Sequence, residues 1–174
     1  WTWTGSQSID ELNLLALRLY SGATKRDPFP GVWPPQDTGS LGQYAIDEAI
    51  AQGVWSGYVE VNSFEELQYA LQKGPCITGT DWPDSYFAPD RCGAVKKSAL
   101  LAGAHEWVIE GIRYSTKQLL GRTSWGDDFG VESDGKGGFF WVTFGDYQSL
   151  MATGDIHCPM IAMPDAATRL GVWP

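Results

Sequence analysis

The sequence is poor in basic residues and contains no long apolar run, and both shortages limit what the chain can do. Its 174 residues include 12 Lys and Arg against 21 Asp and Glu, which gives a formal net charge of −9. Because nucleic-acid phosphates bind to a basic protein surface, this balance argues against a nucleic-acid partner. No stretch reaches the roughly 18 consecutive apolar residues of a membrane-spanning helix, so we expect no membrane span.

Cysteine and histidine are also scarce. The three cysteines, Cys76, Cys92 and Cys158, are too few for a disulfide-stabilised scaffold, although they allow one bridge in an oxidising compartment. The two histidines, His105 and His157, lie far apart in the sequence and lack the paired Cys or His spacing of a zinc site. We therefore expect neither a metal nor another cofactor.

The chain does contain many apolar residues: 43% are hydrophobic and 13% aromatic, with nine tryptophans. This composition excludes intrinsic disorder, and the length is typical of one compact domain, residues 1–174. The sequence opens Trp1-Thr2-Trp3, without an initiator methionine or the regions of a signal peptide. We expect it to be a fragment or processed product of a larger polypeptide or assembly.

The hydrophobic pattern changes near the middle of the chain. Apolar residues at helical spacing, N-capping serines and terminating glycines predict three helices, from Ser6 or Ser8 to about Gly22, from Ser40 to Gly53 and from Ser63 to Gly74. Apolar runs bounded by turn residues predict strands near 76–79, 106–112, 118–122 and 139–144, after a short extended segment at 58–61. We predict an α+β fold with a helical lobe at about 1–73 and a β lobe at about 74–174.

Two motifs match known sites as strings of residues but lack the required context. Asp37-Thr38-Gly39-Ser40 is the tetrapeptide of aspartic peptidases, whose Asp lies on a tight loop after a buried strand and pairs with a second Asp. Here it leads into a helical pattern, and we interpret it as a loop with a helix N-cap. The carboxylates at 127, 128, 132 and 134 do not fit the EF-hand spacing, and we interpret them as a solvated acidic loop.

Three segments of the second half form the most informative pattern. Gly103-Ala104-His105 places a histidine behind two small residues at the start of a predicted strand. The next predicted strand leads into Thr123-Ser124-Trp125-Gly126, and Gly138-Phe139 begins the strand after that. A histidine in this position is often structural, so its order with the other two segments is what indicates a site.

In this order the segments resemble the papain-like cysteine peptidases. His105 matches their catalytic histidine, Ser124-Trp125-Gly126 their Ser-Trp-Gly sequence, and Gly138-Phe139 their Gly-aromatic strand. Further matches are residues 64–71 to the preceding helix, 74–76 to the Gly-Pro start of the first β-lobe strand and 82–87 to the loop after it. The resemblance covers about 64–150 well and the first 60 residues loosely. It implies a papain-like fold, in which a helical lobe precedes a barrel-like antiparallel β lobe.

The resemblance also implies a nucleophilic cysteine, which the sequence does not contain at the matching position. In the family this cysteine begins the long first helix, commonly as Cys-Trp-Ala-Phe-Ser. Trp1-Thr2-Trp3-Thr4 fits that string from its second residue, which puts the nucleophile immediately before Trp1. A second alignment puts Trp3 at the cysteine position. On either alignment Trp1 and Trp3 shape the site, and the oxyanion-hole glutamine lies upstream.

The three cysteines that are present do not replace this nucleophile, because none begins a predicted helix. Cys76 is expected on a strand, Cys92 in a loop and Cys158 near the C-terminus. Buried or disulfide-bonded cysteine is the usual state in such positions, and we favour Cys76 with Cys92 as the pair.

Thr123 is the second departure from the family, which has an asparagine there that accepts the imidazole N–H and orients the ring. A threonine hydroxyl is shorter, so we expect Thr123 to orient His105 only weakly. The neighbouring Trp125, which shields this contact in the family, is retained, and Ser124, Trp125 and Gly126 are expected to shape the site.

The resemblance implies a thiol peptidase domain that hydrolyses peptide bonds, with His105 as base and then acid in a cleft facing the start of the first helix. The alternative is a catalytically inactive papain-like domain, a pseudoenzyme that acts as a binding or virion-structural module. A third hypothesis is an unrelated carbohydrate-binding domain that uses exposed tryptophans. The short tryptophan-rich loops resemble bacterial or bacteriophage members, which implies a cell-wall peptide or virion protein as substrate or partner and an extracellular or virion-associated location.

Overall fold

The computed structural model describes residues 8–133 and 136–161, which contain four α-helices and seven β-strands. The helices are α1 (Ile9–Arg26), α2 (Gly42–Ala51), α3 (Phe64–Ala70) and α4 (Phe144–Met151). The strands are β1 (Trp55–Glu60), β2 (Cys76–Pro83), β3 (Leu101–Arg113), β4 (Gln118–Arg122), β5 (Val131–Ser133), β6 (Lys136–Thr143) and β7 (Asp155–Ile161). The predicted α+β class is confirmed. No helix in these parts of the chain is long and apolar enough for a membrane span.

The chain divides into two compact units. Of the described residues, 8–59 and 159–161 belong to the first unit, and 60–158 belong to the second. Helices α1 and α2 pack against each other in the first unit, where β1 also lies and where Ser56 Oγ donates to the Met160 carbonyl at 3.3 Å. The second unit holds α3, α4 and the main part of the sheet.

Helix α1 begins as its sequence predicts and ends later. Ser8 caps it, because Ser8 Oγ accepts the Glu11 N–H at 3.3 Å while the Glu11 carboxylate accepts the Ser8 N–H at 2.8 Å. Gly22 does not end the helix. A Cβ at Gly22 would lie 2.3 Å from Glu48 Cδ, so this glycine serves the close approach of α2.

The Asp37-Thr38-Gly39-Ser40 segment is a loop, as interpreted from the sequence. The Asp37 carboxylate accepts the Gly39 N–H at 3.2 Å and also a hydrogen bond from the Tyr20 hydroxyl. The N-cap of α2 is Leu41, without a side-chain hydrogen bond, so the predicted cap at Ser40 is wrong.

The sheet of the second unit is antiparallel and open. Its strands follow the order β7-β2-β3-β4-β6-β5, with antiparallel pairing between each neighbouring pair. Among the strands described the order is linear and the sheet does not close on itself. The predicted barrel-like form of the β lobe is therefore only loosely correct.

The core of the second unit lies on the sheet face that α3 and α4 cover. Successive strand residues point to opposite faces, so alternate positions enter this core. Its fully buried members include Cys76 and Thr78 of β2, Ile109 of β3, Phe140 and Val142 of β6, Leu67 of α3 and Tyr147 of α4. Two polar side chains inside it are paired: the Thr78 hydroxyl lies 3.0 Å from the Tyr147 hydroxyl and also donates to the Asp155 carbonyl.

Candidate active site

His105 lies within β3 and is half-buried. The strand predicted from the sequence begins at Glu106, one residue after His105. The observed strand begins at Leu101, because its first residues pair with the far end of β2, where His105 stands opposite Thr80. This pairing puts the imidazole on the same sheet face as Thr80 and Trp82, since residues two apart on a strand share a face.

Two tryptophan rings contact the imidazole. The Trp125 ring stacks on it, with ring centroids 4.6 Å apart and an interplanar angle of 29°. The Trp82 ring meets it edge-on at 4.8 Å and 72°, and Trp82 is only 2% exposed. Such offset and edge-to-face arrangements are the favourable geometries for aromatic pairs. The two rings therefore fix the imidazole plane by packing.

Trp125 is itself packed among several rings. Phe87 of the 3-10 helix Asp84–Phe87 also stacks on it, at 5.2 Å and 14°, and Phe129 meets it edge-on at 4.9 Å. Trp125 and Phe87 are 38% and 55% exposed, so this stack reaches the surface beside His105. The turn that places Trp125 uses Gly126, whose φ of +89° is in the region that favours glycine.

Thr123 lies close in sequence to Trp125 but does not hydrogen-bond to His105. Its side chain is buried, with 7% exposure, and its Oγ1 accepts the Trp125 N–H at 3.4 Å. The Nε2 atom of His105 is buried and has no hydrogen-bond partner within residues 8–133 and 136–161. Among the described residues, Nε2 therefore lacks the polar partner that the family resemblance implied, and the ring is packed against aromatic side chains instead.

Burial also determines the charge of His105. Removing the imidazole from water disfavours its protonated form, which lowers the pKa of His105 below the ordinary value of 6.5. The ring is therefore neutral at pH 7 and can accept a proton. A neutral imidazole is the form that a general base requires.

The three cysteines lie away from any helix start. Cys76 is buried on β2, Cys158 is buried on β7, and Cys92 is exposed in the loop after the 3-10 helix. All three are free thiols, so the bridge suggested between Cys76 and Cys92 is not formed in this structure. Trp1 and Trp3 lie outside the described residues.

A second cluster of titratable groups lies on the sheet face opposite to His105. The sequence analysis did not predict this cluster. His157 Nε2 lies 3.2 Å from Asp155 Oδ2, and Asp155 Oδ1 accepts the Gly79 N–H at 2.9 Å. A Cβ at Gly79 would lie 2.5 Å from Glu106 Oε1 and 2.7 Å from Asp155 Oδ1, so this glycine leaves room for both carboxylates. The available signal was the Asp-x-His spacing, which puts Asp155 and His157 on one strand face.

The charges around His157 raise its pKa, whereas burial lowers the pKa of His105. The hydrogen bond to Asp155 is the largest cause that raises the pKa of His157, and the carboxylates of Glu106 and Glu60 raise it further. The same hydrogen bond is the largest cause that lowers the pKa of Asp155. The pair lines a cavity of about 560 Å³ together with Glu60, Asn62 and Gln148. Within the described ranges no group of three or more His, Cys, Asp or Glu side chains is arranged to hold a metal.

Solved structures share this fold. Xylellain, a cysteine protease from Xylella fastidiosa, matches 78% of this chain with a TM-score of 0.55 and 18% identity. The Carica candamarcensis cysteine protease CMS1MS2, solved in complex with E-64, matches 72% of this chain with a TM-score of 0.56 and 14% identity. No protein-family model matches the sequence, and no protein of curated function matches it either.

These likenesses establish a papain-like fold for the chain. The matched region is about half of the xylellain chain, at 49%, and 70% of the CMS1MS2 chain. Likenesses at 18% and 14% identity show the fold alone.

The opposite environments of the two histidines predict separate titrations. Because the chain contains only His105 and His157, a carbon-13 histidine label gives two ring signals, and the His157→Gln variant assigns them. We expect the His105 signal to titrate below pH 6.5 and the His157 signal above it. Two titrations near 6.5, or the reverse order, would contradict the described burial and pairing.

The His157–Asp155 pair predicts a pH-dependent stability. The raised pKa of His157 means that its contribution is fully present below the unfolded-state value and is lost as the pH rises through the folded-state pKa. The lowered pKa of Asp155 sets the acid limit, where protonation of the carboxylate removes the contribution. Because the Asp155 side chain is 40% exposed and partly screened, we expect about 1 kcal/mol.

Urea unfolding of the wild type and His157→Gln at several pH values measures this contribution. The wild type is expected to be the more stable chain near pH 5–6, with a difference that shrinks toward alkaline pH. A difference that stays constant with pH would mean that packing, not the ion pair, accounts for it.

Proposed function

We propose that this chain is a papain-like thiol peptidase domain, with His105 as its general base and then its general acid. The observation that supports this most is the stack of His105 on Trp125, since these are the residues that the resemblance aligned with the histidine and the Ser-Trp-Gly sequence. A peptide or protein is the corresponding substrate, and both structural neighbours are cysteine proteases.

The proposed reaction needs a thiol that the described residues do not supply. We place this cysteine immediately before Trp1 in the longer protein. Neutral His105 takes the thiol proton, and the thiolate attacks the peptide carbonyl carbon. The imidazolium then protonates the leaving amine, which breaks the C–N bond and leaves a thioester. Water, deprotonated by His105, hydrolyses the thioester, and the proton returns to the sulfur.

The imidazole must keep its orientation through both proton transfers. In this proposal Trp125 and Trp82 hold the ring by contact, and Thr123 is at most a weak orienter because its hydroxyl oxygen accepts the Trp125 N–H. Stacking fixes the ring plane but does not select a tautomer. A hydrogen bond to one ring nitrogen fixes the ring orientation and also selects one tautomer. We therefore propose a less efficient base than in an enzyme with an asparagine at this position.

One observation favours the alternative, an inactive papain-like domain that binds a peptide or protein. His105 Nε2 has no polar partner within the described ranges, and a site released from catalysis has no need of one. Cell-wall peptide or a virion protein as substrate or partner, and an extracellular or virion-associated location, rest on the tryptophan-rich loops and are proposed with either function.

Labelling with E-64 tests the proposal. E-64 forms a covalent adduct with an activated cysteine thiolate, and CMS1MS2 was solved in complex with it. The full-length protein is expected to be labelled at the residue before Trp1, and His105→Ala to slow labelling about 100-fold or more by removing the base. His157→Gln, which changes the histidine on the other sheet face, is the matched control and should label at the wild-type rate.

Two results would overturn the peptidase proposal. One is a full-length sequence without a cysteine before Trp1, and the other is equal labelling of the wild type and His105→Ala. Either result would support the inactive domain instead.

A further inference from the structure

Cys76 and Cys158 face each other across neighbouring strands. In the antiparallel register of β2 and β7, Ile77 pairs with His157, so the next step along both strands brings Cys76 opposite Cys158. Both residues lie on the core face, where Cys76 is fully buried and Cys158 is 8% exposed. Besides burial, the Cys158 thiol contributes to the raised pKa of Cys76, as expected of neighbouring side chains on adjacent strands.

Cys92 has a different environment. It is exposed in a turn, where its N–H donates to Asp90 Oδ1 at 2.8 Å. The structure thus offers one pair of adjacent thiols and one thiol outside it, which differs from the pairing favoured from the sequence.

We propose that Cys76 and Cys158 form a cross-strand disulfide under oxidising conditions and that this bond fastens β7 to β2. The two strands are otherwise paired at only three described positions, Ile77 with His157, Thr78 with Ile156 and Gly79 with Asp155. β2 also carries Thr80 and Trp82, which lie beside His105. The bridge therefore restrains the strand that supports the candidate site, and it does not depend on the proposed activity.

A small disulfide such as oxidised glutathione is the oxidant. The Cys158 thiolate attacks one of its sulfurs, which forms a mixed disulfide and releases one glutathione thiolate. The Cys76 thiolate then attacks the Cys158 sulfur and releases the second glutathione. Two cysteines are oxidised, one glutathione disulfide is reduced, and the two cysteine protons end on the two glutathione thiols.

Burial determines when this exchange occurs. It is the largest cause that raises the pKa of Cys76, to about 12, and the contact with Cys158 raises it further. Because the thiolate is the attacking form, exchange in the folded chain is slow, and the bridge forms mainly during folding.

A tryptic map identifies the pairing directly, because cleavage after Lys73, Arg91, Lys96, Lys136 and Arg169 puts each cysteine in its own peptide. The chain is refolded from urea in a glutathione buffer, alkylated and digested without reduction. We expect a disulfide between peptides 74–91 and 137–169, and alkylated Cys92 in peptide 92–96. A bridge that includes peptide 92–96, or alkylation of all three cysteines, would overturn the proposal.

The stabilisation that the disulfide provides is measured in the Cys92→Ser variant, which removes competition from the exposed thiol. Its oxidised form is expected to melt at least about 5 °C above its own reduced form, because the bond closes a long loop. This comparison involves no change in the core, so it does not depend on whether Cys76→Ser or Cys158→Ser folds. Equal melting temperatures would contradict the fastening.

Discussion

The contact of the His105 imidazole with the Trp125 and Trp82 rings is the interaction on which the candidate site depends. Trp82 is in place because β2 and β3 pair with Thr80 opposite His105, and Trp125 because the chain turns at Gly126 after β4. Phe87 in turn stacks on Trp125. Orientation and desolvation of the imidazole both follow from this one cluster of rings.

The same fold gives its two histidines opposite chemistry. His105 is surrounded by aromatic rings, so burial disfavours its charge and keeps the ring neutral. His157 lies on the other sheet face beside Asp155, where carboxylates favour the charged form. A neutral histidine is suited to accepting a proton, whereas a charged and paired one contributes to stability. This difference is the physical reason for proposing His105, and not His157, as the base.

The sequence was informative about the site because its segments are local. The small residues before His105, the Ser-Trp-Gly segment and the Gly-aromatic strand each lie within a few residues, and their order indicated the fold correctly. Contacts between distant residues were not predictable in the same way. Gly22 looked like a helix end because its packing partner, Glu48, belongs to another helix. Phe144 looked like the end of a strand, yet Thr143 caps α4 there by accepting the Asp146 N–H at 3.1 Å.

The departure at Thr123 makes Trp125 the residue to vary. If the stack keeps His105 desolvated, then Trp125→Ala should admit water and raise the His105 pKa toward 6.5, while Trp125→Phe, which keeps an aromatic face, should leave it lowered. Histidine ring NMR of the two variants, with His157 as an internal reference, measures this shift. An unchanged His105 pKa in Trp125→Ala would contradict the account in which the tryptophan stack sets the state of the candidate base.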